Sequence, residues 1–326
     1  MRYFVGLLSL LIIFSIQGCS LVINAPLFGG STKTLNEVHL RGMGDDKVLM
    51  LPIEGVITAT DSRTLFGGSP NTVDVVQRFL DRARNDENVK ALLIRVNSPG
   101  GAVGATNTIH HELQSFKQET GIPVIAFFQD VAASGGYYVS MVADEIIAQP
   151  SGVSGSIGVF SVHVSLEELM DKIGVKADVI KTGKMKASGL PFKELTSEQR
   201  SHRRSMIDDA YDGFVDAVDA GRPGLTKQQI LPLADGRVYT AKGAKAKGLI
   251  DRVAYLSDAF ERAKKLAGIS EASLVTYTHK SEDSERSIYT QSVSAPPAEI
   301  PLASQLATQL GLNYTGFHTL YLWSPN

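Results

Sequence analysis

Two apolar runs in this chain each stop at a pair of glycines, and that punctuation narrows the folds open to it. Residues 91–96 lead into Asn97-Ser98-Pro99-Gly100-Gly101, and residues 123–128 lead on to Ala132-Ala133-Ser134-Gly135-Gly136-Tyr137-Tyr138. Each glycine pair stands just ahead of a segment with helical character. Apolar runs this continuous suit strands covered on both faces, as in a parallel sheet. Strands alternating with helices predict βαβ units, hence an α/β fold with a largely parallel sheet flanked by helices. A turn between such a strand and its helix aims backbone N–H groups, and here one serine hydroxyl, into the space beside the sheet. Converging N–H groups stabilise an oxyanion, the charge that develops in acyl transfer.

The rest of the chain continues the alternation. Residues 47–57 read as a strand interrupted by Pro52 and Gly55, and residues 72–84 carry Val73, Val75, Val76 and Phe79 at helical spacing. A polar-faced helix is predicted over 106–120 and strands over 145–148 and 177–181. Ser165-Leu166-Glu167-Glu168 and Thr196-Ser197-Glu198-Gln199 are capping boxes, opening helices to about Ile173 and Ala220. Thr240 caps a short helix that stops at Gly248, and Ser257 opens a last one to about Leu266. Residues 281–297 are polar and proline-bearing, a linker. Residues 302–312 are amphipathic, and 317–323 are apolar and aromatic, a tail expected to dock, with a neighbouring subunit as one place for it.

The N-terminus sets the compartment. Arg2 is followed by an apolar stretch over 7–14 and then Ile16-Gln17-Gly18-Cys19. A short charged region, an apolar core and a small residue before the cut form a signal-peptide pattern. Cysteine as the first residue after the cut resembles a lipobox, so a lipidated Cys19 is expected to anchor the mature chain to a membrane from outside the cytoplasm. An uncleaved anchor helix is the alternative. Ser20 at the next position is compatible with outer-membrane sorting on the periplasmic side of a Gram-negative cell. Cys19 is the only cysteine, which excludes an internal disulfide and any cysteine-built metal site. With 32 basic and 34 acidic residues the net charge is −2, so nothing marks a nucleic-acid partner. The expected organisation is a signal peptide over 1–18, a tether over 19–46, a catalytic body over 47–270, and a linker with a tail over 271–326.

Ser134 admits two readings. A serine at a helix start is often an N-cap. Two glycines directly after it weaken a first helical turn, however, and are useful where substrate must approach the backbone. A nucleophilic serine needs a base. Of the seven histidines only His163 stands near a glycine-rich turn, and Ser134 lacks a Gly-x-Ser-x-Gly elbow. The other candidate bases are Lys184 and Lys186, in Thr182-Gly183-Lys184-Met185-Lys186-Ala187-Ser188-Gly189. A lysine titrates near 10.4 in water, and burial among small apolar groups lowers that value toward a working base.

Several motifs in order carry a family resemblance: Asn97-Ser98-Pro99-Gly100-Gly101, Ala133-Ser134-Gly135-Gly136-Tyr137-Tyr138, Ser154-Gly155-Ser156-Ile157-Gly158-Val159 and Asp235-Gly236-Arg237-Val238-Tyr239. Together they resemble the signal peptide peptidase A family, over about Lys47 to Leu266. The resemblance implies a Clp-protease/crotonase-like fold and a membrane-associated serine endopeptidase with a Ser–Lys dyad. It implies Ser134 as nucleophile, Lys186 as general base, Gly101 and Gly135 as oxyanion-hole donors, and Ser156 as the residue orienting the lysine. Substrates would be cleaved signal peptides and other membrane-released or misfolded polypeptides. No metal or cofactor is needed. The chain is the short, single-copy form, so a homo-oligomer with sites shared between protomers is implied. The family pattern departs after Lys186, at Ala187-Ser188-Gly189-Leu190, and the tail has no counterpart. Val103, Met185, Leu190 and Phe192 are candidate groove liners. Two other functions stay open at this point: a crotonase-like acyl-CoA hydratase or isomerase, and a non-catalytic peptide-binding scaffold.

Overall fold

The computed structural model describes residues 35–64, 67–69, 71–278 and 320–322. The chain divides into residues 1–35 and one compact unit from Asn36 onward. The expected signal peptide and Cys19 lie outside the described residues. In chain order the elements are β1 (Asn36–Met43), β2 (Lys47–Ile57), β3 (Ser62–Thr64), β4 (Gly67–Ser69), α1 (Thr72–Arg84), β5 (Val89–Ala102), α2 (Val103–Thr120), β6 (Val124–Ala133) and α3 (Gly135–Val139). There follow β7 (Glu145–Ala148), β8 (Val153–Gly155), α4 (Glu167–Lys172), α5 (Ser197–Gly221), α6 (Lys227–Ile230), β9 (Val238–Thr240), α7 (Ala241–Ala246), β10 (Arg252–Val253), α8 (Leu256–Ala267), β11 (Ala272–Thr278) and β12 (Leu320–Leu322).

The main sheet runs β1-β11-β2-β5-β6-β7-β10. Every pair from β11 to β10 is parallel, and β1 closes one edge antiparallel to β11. The expected α/β class, with a largely parallel sheet flanked by helices, is therefore what the chain adopts. The middle strands are buried on both faces because their residues are apolar in both directions: Leu92, Leu93, Ile94 and Val96 are all fully buried. On one face, α8 lays Leu256, Ala259, Phe260 and Ala263 over Val48, Met50, Leu93 and Phe127. On the other, α1 and α2 pack against β2, β5 and each other. Asn71 caps α1 by accepting from the Asp74 amide at 2.9 Å, and Gly121 ends α2 in the left-handed conformation at φ 69°.

Five expectations need correction. Residues 36–46 are not a tether: β1 pairs with β11, with Leu40 against the core, although its period-two signal rests on Val38 and Leu40 alone. The sheet likewise continues past residue 270, because β11 sits between β1 and β2. No strand forms over 177–181; no neighbour pairs with it, and Ile180 is 97% exposed. The box at Ser165 does not close: α4 starts at Glu167 behind Leu166, and Ser165 Oγ accepts only from the Glu167 amide, at 3.4 Å. The last long helix begins at Leu256 because the Asp258 carboxylate accepts from the Tyr255 amide at 2.9 Å, which leaves Ser257 inside the first turn. The box at Thr196 does close, and the helix it opens runs to Gly221.

Candidate active site

Both glycine pairs sit at strand ends on the same side of the sheet. β5 extends through the first pair instead of stopping at Val96, because the Ser98 hydroxyl donates to the Gly55 carbonyl at 2.6 Å and accepts from the Gly100 amide at 3.0 Å. Gly100 takes φ 101°. β6 ends at Ala133, and Ser134 then turns the chain into α3.

Ser134 is 1% exposed. It has φ 52° and ψ −118°, a conformation that costs a non-glycine residue on the order of 1–3 kcal/mol and persists only where surrounding bonds enforce it. Those bonds are present: the Ser134 amide donates to the Gly155 carbonyl at 2.8 Å, and the Ser134 carbonyl accepts from the Tyr138 amide at 2.9 Å. The side chain caps nothing. The N-cap reading of this serine is thereby removed.

Gly135 and Gly101 meet across the turn. A Cβ on Gly135 would lie 3.2 Å from the Gly101 nitrogen and 3.1 Å from Gly100 Cα, and one on Gly100 would lie 2.6 Å from the Gly135 nitrogen. A Cβ on Gly136 would lie 2.7 Å from the Ser98 carbonyl oxygen, too close to be admitted. Both pairs are thus glycine because two backbones approach too closely for any side chain.

Ser156 follows β8 and also has a positive φ, 51°. Its amide donates to the Arg237 carbonyl at 2.8 Å, within the Asp235-Gly236-Arg237 motif, and the residue is 6% exposed. β8 pairs with β6, Gly155 opposite Ala133, so Ser156 adjoins the residue that holds Ser134.

The lysines lie on an arm between β8 and α5. Lys186 is exposed, and no hydrogen bond joins it to Ser134 or Ser156 among the described residues. Lys184 pairs with Glu198 on the surface. Ala187 carries the third positive φ of a non-glycine residue, 68°. Arg203, on α5, steadies this turn by donating to the Ser188 carbonyl at 2.8 Å. The arm's large apolar residues face outward: Leu169 is 54% exposed, Ile173 65% and Phe192 38%. Val103, Met185 and Leu190 are half-buried.

Two neighbours of the site escaped the sequence reading. Thr106, in the first turn of α2, is fully buried with its hydroxyl unpartnered, and that hydroxyl would be 2.8 Å from a Cβ on Gly135. The other is Tyr321: its strand β12 lies on β5 with Tyr321 opposite Gly101. The aromatic tail was the only signal for it.

Known proteins share this chain's sequence over much of its length. The model of "Peptidase family S49" matches residues 116–270. A protein of Enterococcus faecium named "Putative signal peptide peptidase SppA" is 32% identical over 251 residues, 77% of this chain and 72% of that one. "Protease 4" of Haemophilus influenzae is 35% identical over 68% of this chain, and "Serine protease SPPA, chloroplastic" of Arabidopsis thaliana 32% over 74%. The chain spans only 35% of the length of each of those two longer relatives. A solved structure of a membrane-bound stomatin-specific protease is 18% identical, with a TM-score of 0.43 over 68% of this chain and 86% of that one. The chain is a serine-type endopeptidase of α/β architecture. It belongs to peptidase family S49.

Proposed function

We propose that this chain is a membrane-anchored signal peptide peptidase that works through Ser134 and Lys186. The observation that carries the reading is the strained, buried Ser134 at a turn where the backbones of Gly101 and Gly135 approach each other too closely for a side chain. In this mechanism neutral Lys186 takes the Ser134 proton as Oγ attacks the scissile carbonyl. The N–H groups of Gly101 and Gly135 receive the oxyanion; one such donor is worth about 2.7–4 kcal/mol in related sites. Lys186 then protonates the departing amine, and water hydrolyses the acyl-enzyme. Ser156 orients the lysine.

Lys186 belongs, in this reading, to the site of a neighbouring copy. Two features support that: the lysine side chain has no hydrogen-bond or ion-pair partner among the described residues, and the arm that carries it turns Leu169, Ile173 and Ile180 outward. Burial of the arm against a second copy would take the lysine out of water. Cys19 is the lipid attachment, which places the body beside a membrane outside the cytoplasm. Among the described residues no helix is long and apolar enough to cross a membrane. Cleaved signal peptides and other released or misfolded polypeptides are the substrates.

Purified Ser134→Ala and Lys186→Ala proteins test the dyad. Each should assemble yet be inactive, and subunits of the two variants mixed during assembly should regain activity if sites are shared. Full activity in Lys186→Ala protein overturns the dyad; inactivity of every mixture overturns the sharing.

A further inference from the structure

The sheet loses its register at one level, just ahead of both glycine pairs. Between β5 and β6, Val96 faces Phe128 and Ser98 faces Ala132, so β6 takes Phe128 to Ala132 for a stretch that β5 crosses from Val96 to Ser98. On the other side of β5, Asn97 faces Glu54 and Gly100 faces Val56, and there the surplus lies on β5. Bulges of this kind break the ladder, bend the strand and re-aim the side chains beyond them. Beyond these two stand Gly100-Gly101 on β5 and Ser134 at the end of β6. From Val131 onward β6 pairs with β8.

Asn97 lies at the level of both bulges, and its side chain crosses to β6. Oδ1 accepts from the Val131 amide at 3.2 Å, inside the β6 bulge, and Nδ2 reaches the Asp130 carboxylate at 3.5 Å. The orientation of the amide follows from chemistry, since a backbone N–H only donates and a carboxylate only accepts. Asp130 is held in turn by Gln149 Nε2 at 2.9 Å, and Gln149 is tied to β6 by its own amide, which donates to the Phe128 carbonyl at 2.9 Å. Two residues earlier on β5, the buried Arg95 guanidinium pairs with Glu54. One side chain thus spans the gap in the ladder between the strand that carries Gly101 and the strand that leads to Ser134.

We propose that Asn97 is a positioning residue for the reaction: through the bulge at Val131 it fixes the spacing between the Ser134 hydroxyl and the Gly101 amide, without touching substrate. This inference rests on the reading of Ser134 as nucleophile and Gly101 as oxyanion donor. Gly101 closely follows Asn97 along β5, and Ser134 closely follows Val131 along β6, so a shift at the bulge moves one against the other. Oxyanion donors act only within a narrow distance of the attacked carbonyl. A misplacement of about 1 Å costs on the order of a hundredfold in rate. The loss should therefore fall on kcat.

Steady-state hydrolysis of a short peptide amide and thermal melts are measured on full-length variants. Asn97→Ala should lower kcat by about ten- to a hundredfold, with KM within about twofold of the parent. Asn97→Asp keeps an acceptor for the Val131 amide but sets two carboxylates face to face, and should lose about tenfold in kcat. Adding Asp130→Asn exchanges donor and acceptor across the pair, and should bring kcat back to within about threefold of the parent. A merely structural role would lower the melting temperature without that recovery. Full kcat in folded Asn97→Ala protein, a rise in KM as large as the fall in kcat, or no recovery in the double variant overturns the proposal. Should Asn97→Ala protein fail to fold, Asn97→Asp with and without Asp130→Asn decides. Turnover by Ser134→Ala protein overturns the catalytic reading and this inference with it. An inactive Ser134→Ala protein beside a fully active Asn97→Ala one overturns this inference alone.

Discussion

The amide of Ser134 donates to the carbonyl of Gly155 at 2.8 Å, and this bond ties two strained turns together. Gly155 has φ 95°, and Ser156 directly after it has φ 51°. The strain at Ser134 is therefore held by a neighbouring turn that is itself pinned to the Arg237 carbonyl. Stored strain at a non-glycine residue needs such over-determination.

Gly155→Ala should release it. The new Cβ would meet the Tyr239 ring at 2.8 Å in a backbone conformation that alanine resists. A stability loss of about 1–3 kcal/mol is expected, with peptidase activity falling further than the population of folded protein. Thermal melts and peptide turnover on the same preparation check this.

Two glycines only three residues apart should behave oppositely. A Cβ on Gly101 would lie 2.0 Å from the Ile57 carbonyl oxygen, which is backbone and cannot step aside. Gly101→Ala should disrupt the end of β5 and abolish turnover. Gly104, inside α2, has open space around it, so Gly104→Ala should stabilise the protein by about 0.5–1 kcal/mol. Urea unfolding of both variants separates them.

Thr106 holds a buried hydroxyl with no partner among the described residues. Thr106→Val removes that polar group and keeps the shape, so stability should be unchanged or higher by about 1 kcal/mol. A clear loss of stability would mean that the hydroxyl has a partner in solution.

Asp251 predicts an acid-sensitive fold. Burial works against its charge, but the Arg222 guanidinium, with two contacts at 2.8 Å, and the Ile146 amide at 2.7 Å outweigh burial and hold its pKa below the usual 3.8. The unfolded carboxylate then takes up its proton at a higher pH than the folded one. Its stabilisation is fully present above pH 3.8 and drains away as pH falls through the folded value. Asp251→Asn should flatten that limb and cost about 1–2 kcal/mol at neutral pH, a figure reduced for screening because the side chain is 35% exposed. Unfolding free energies between pH 3 and 7 measure both.

Arg203 steadies the arm through the Ser188 carbonyl. If Lys186 is the base, Arg203→Ala should lower kcat more than it raises KM, and Arg203→Lys should recover part of the loss. Equal effects on kcat and KM would assign Arg203 to substrate binding instead.

What the sequence made legible was whatever rests on local pattern. Residues 47–57 and 72–84 have the burial periodicity of their elements, and both have the extents that the pattern predicts. Ser134, Gly101 and Gly135 stood out because glycine pairs after apolar strands are rare without a backbone reason. Pairing over long range was not legible. β1 finds β11 more than 200 residues away, and nothing in a short, half-polar strand names its partner. The same holds for Tyr321, whose ring reaches Tyr138 and Phe214 only once three distant segments have folded. Residues 177–181 show the converse: an apolar pattern with no strand beside it stays unpaired.

The missing side chains of Gly100 and Gly101 have a last consequence. The slot they leave holds a strand by its main chain, stretched out and running opposite to β5, as β12 does. A helix or a packed sheet has no spare amides and carbonyls to offer there. In the proposed mechanism, intact proteins would be spared by their shape before any residue of theirs is inspected, and a polypeptide would become prey by losing its fold.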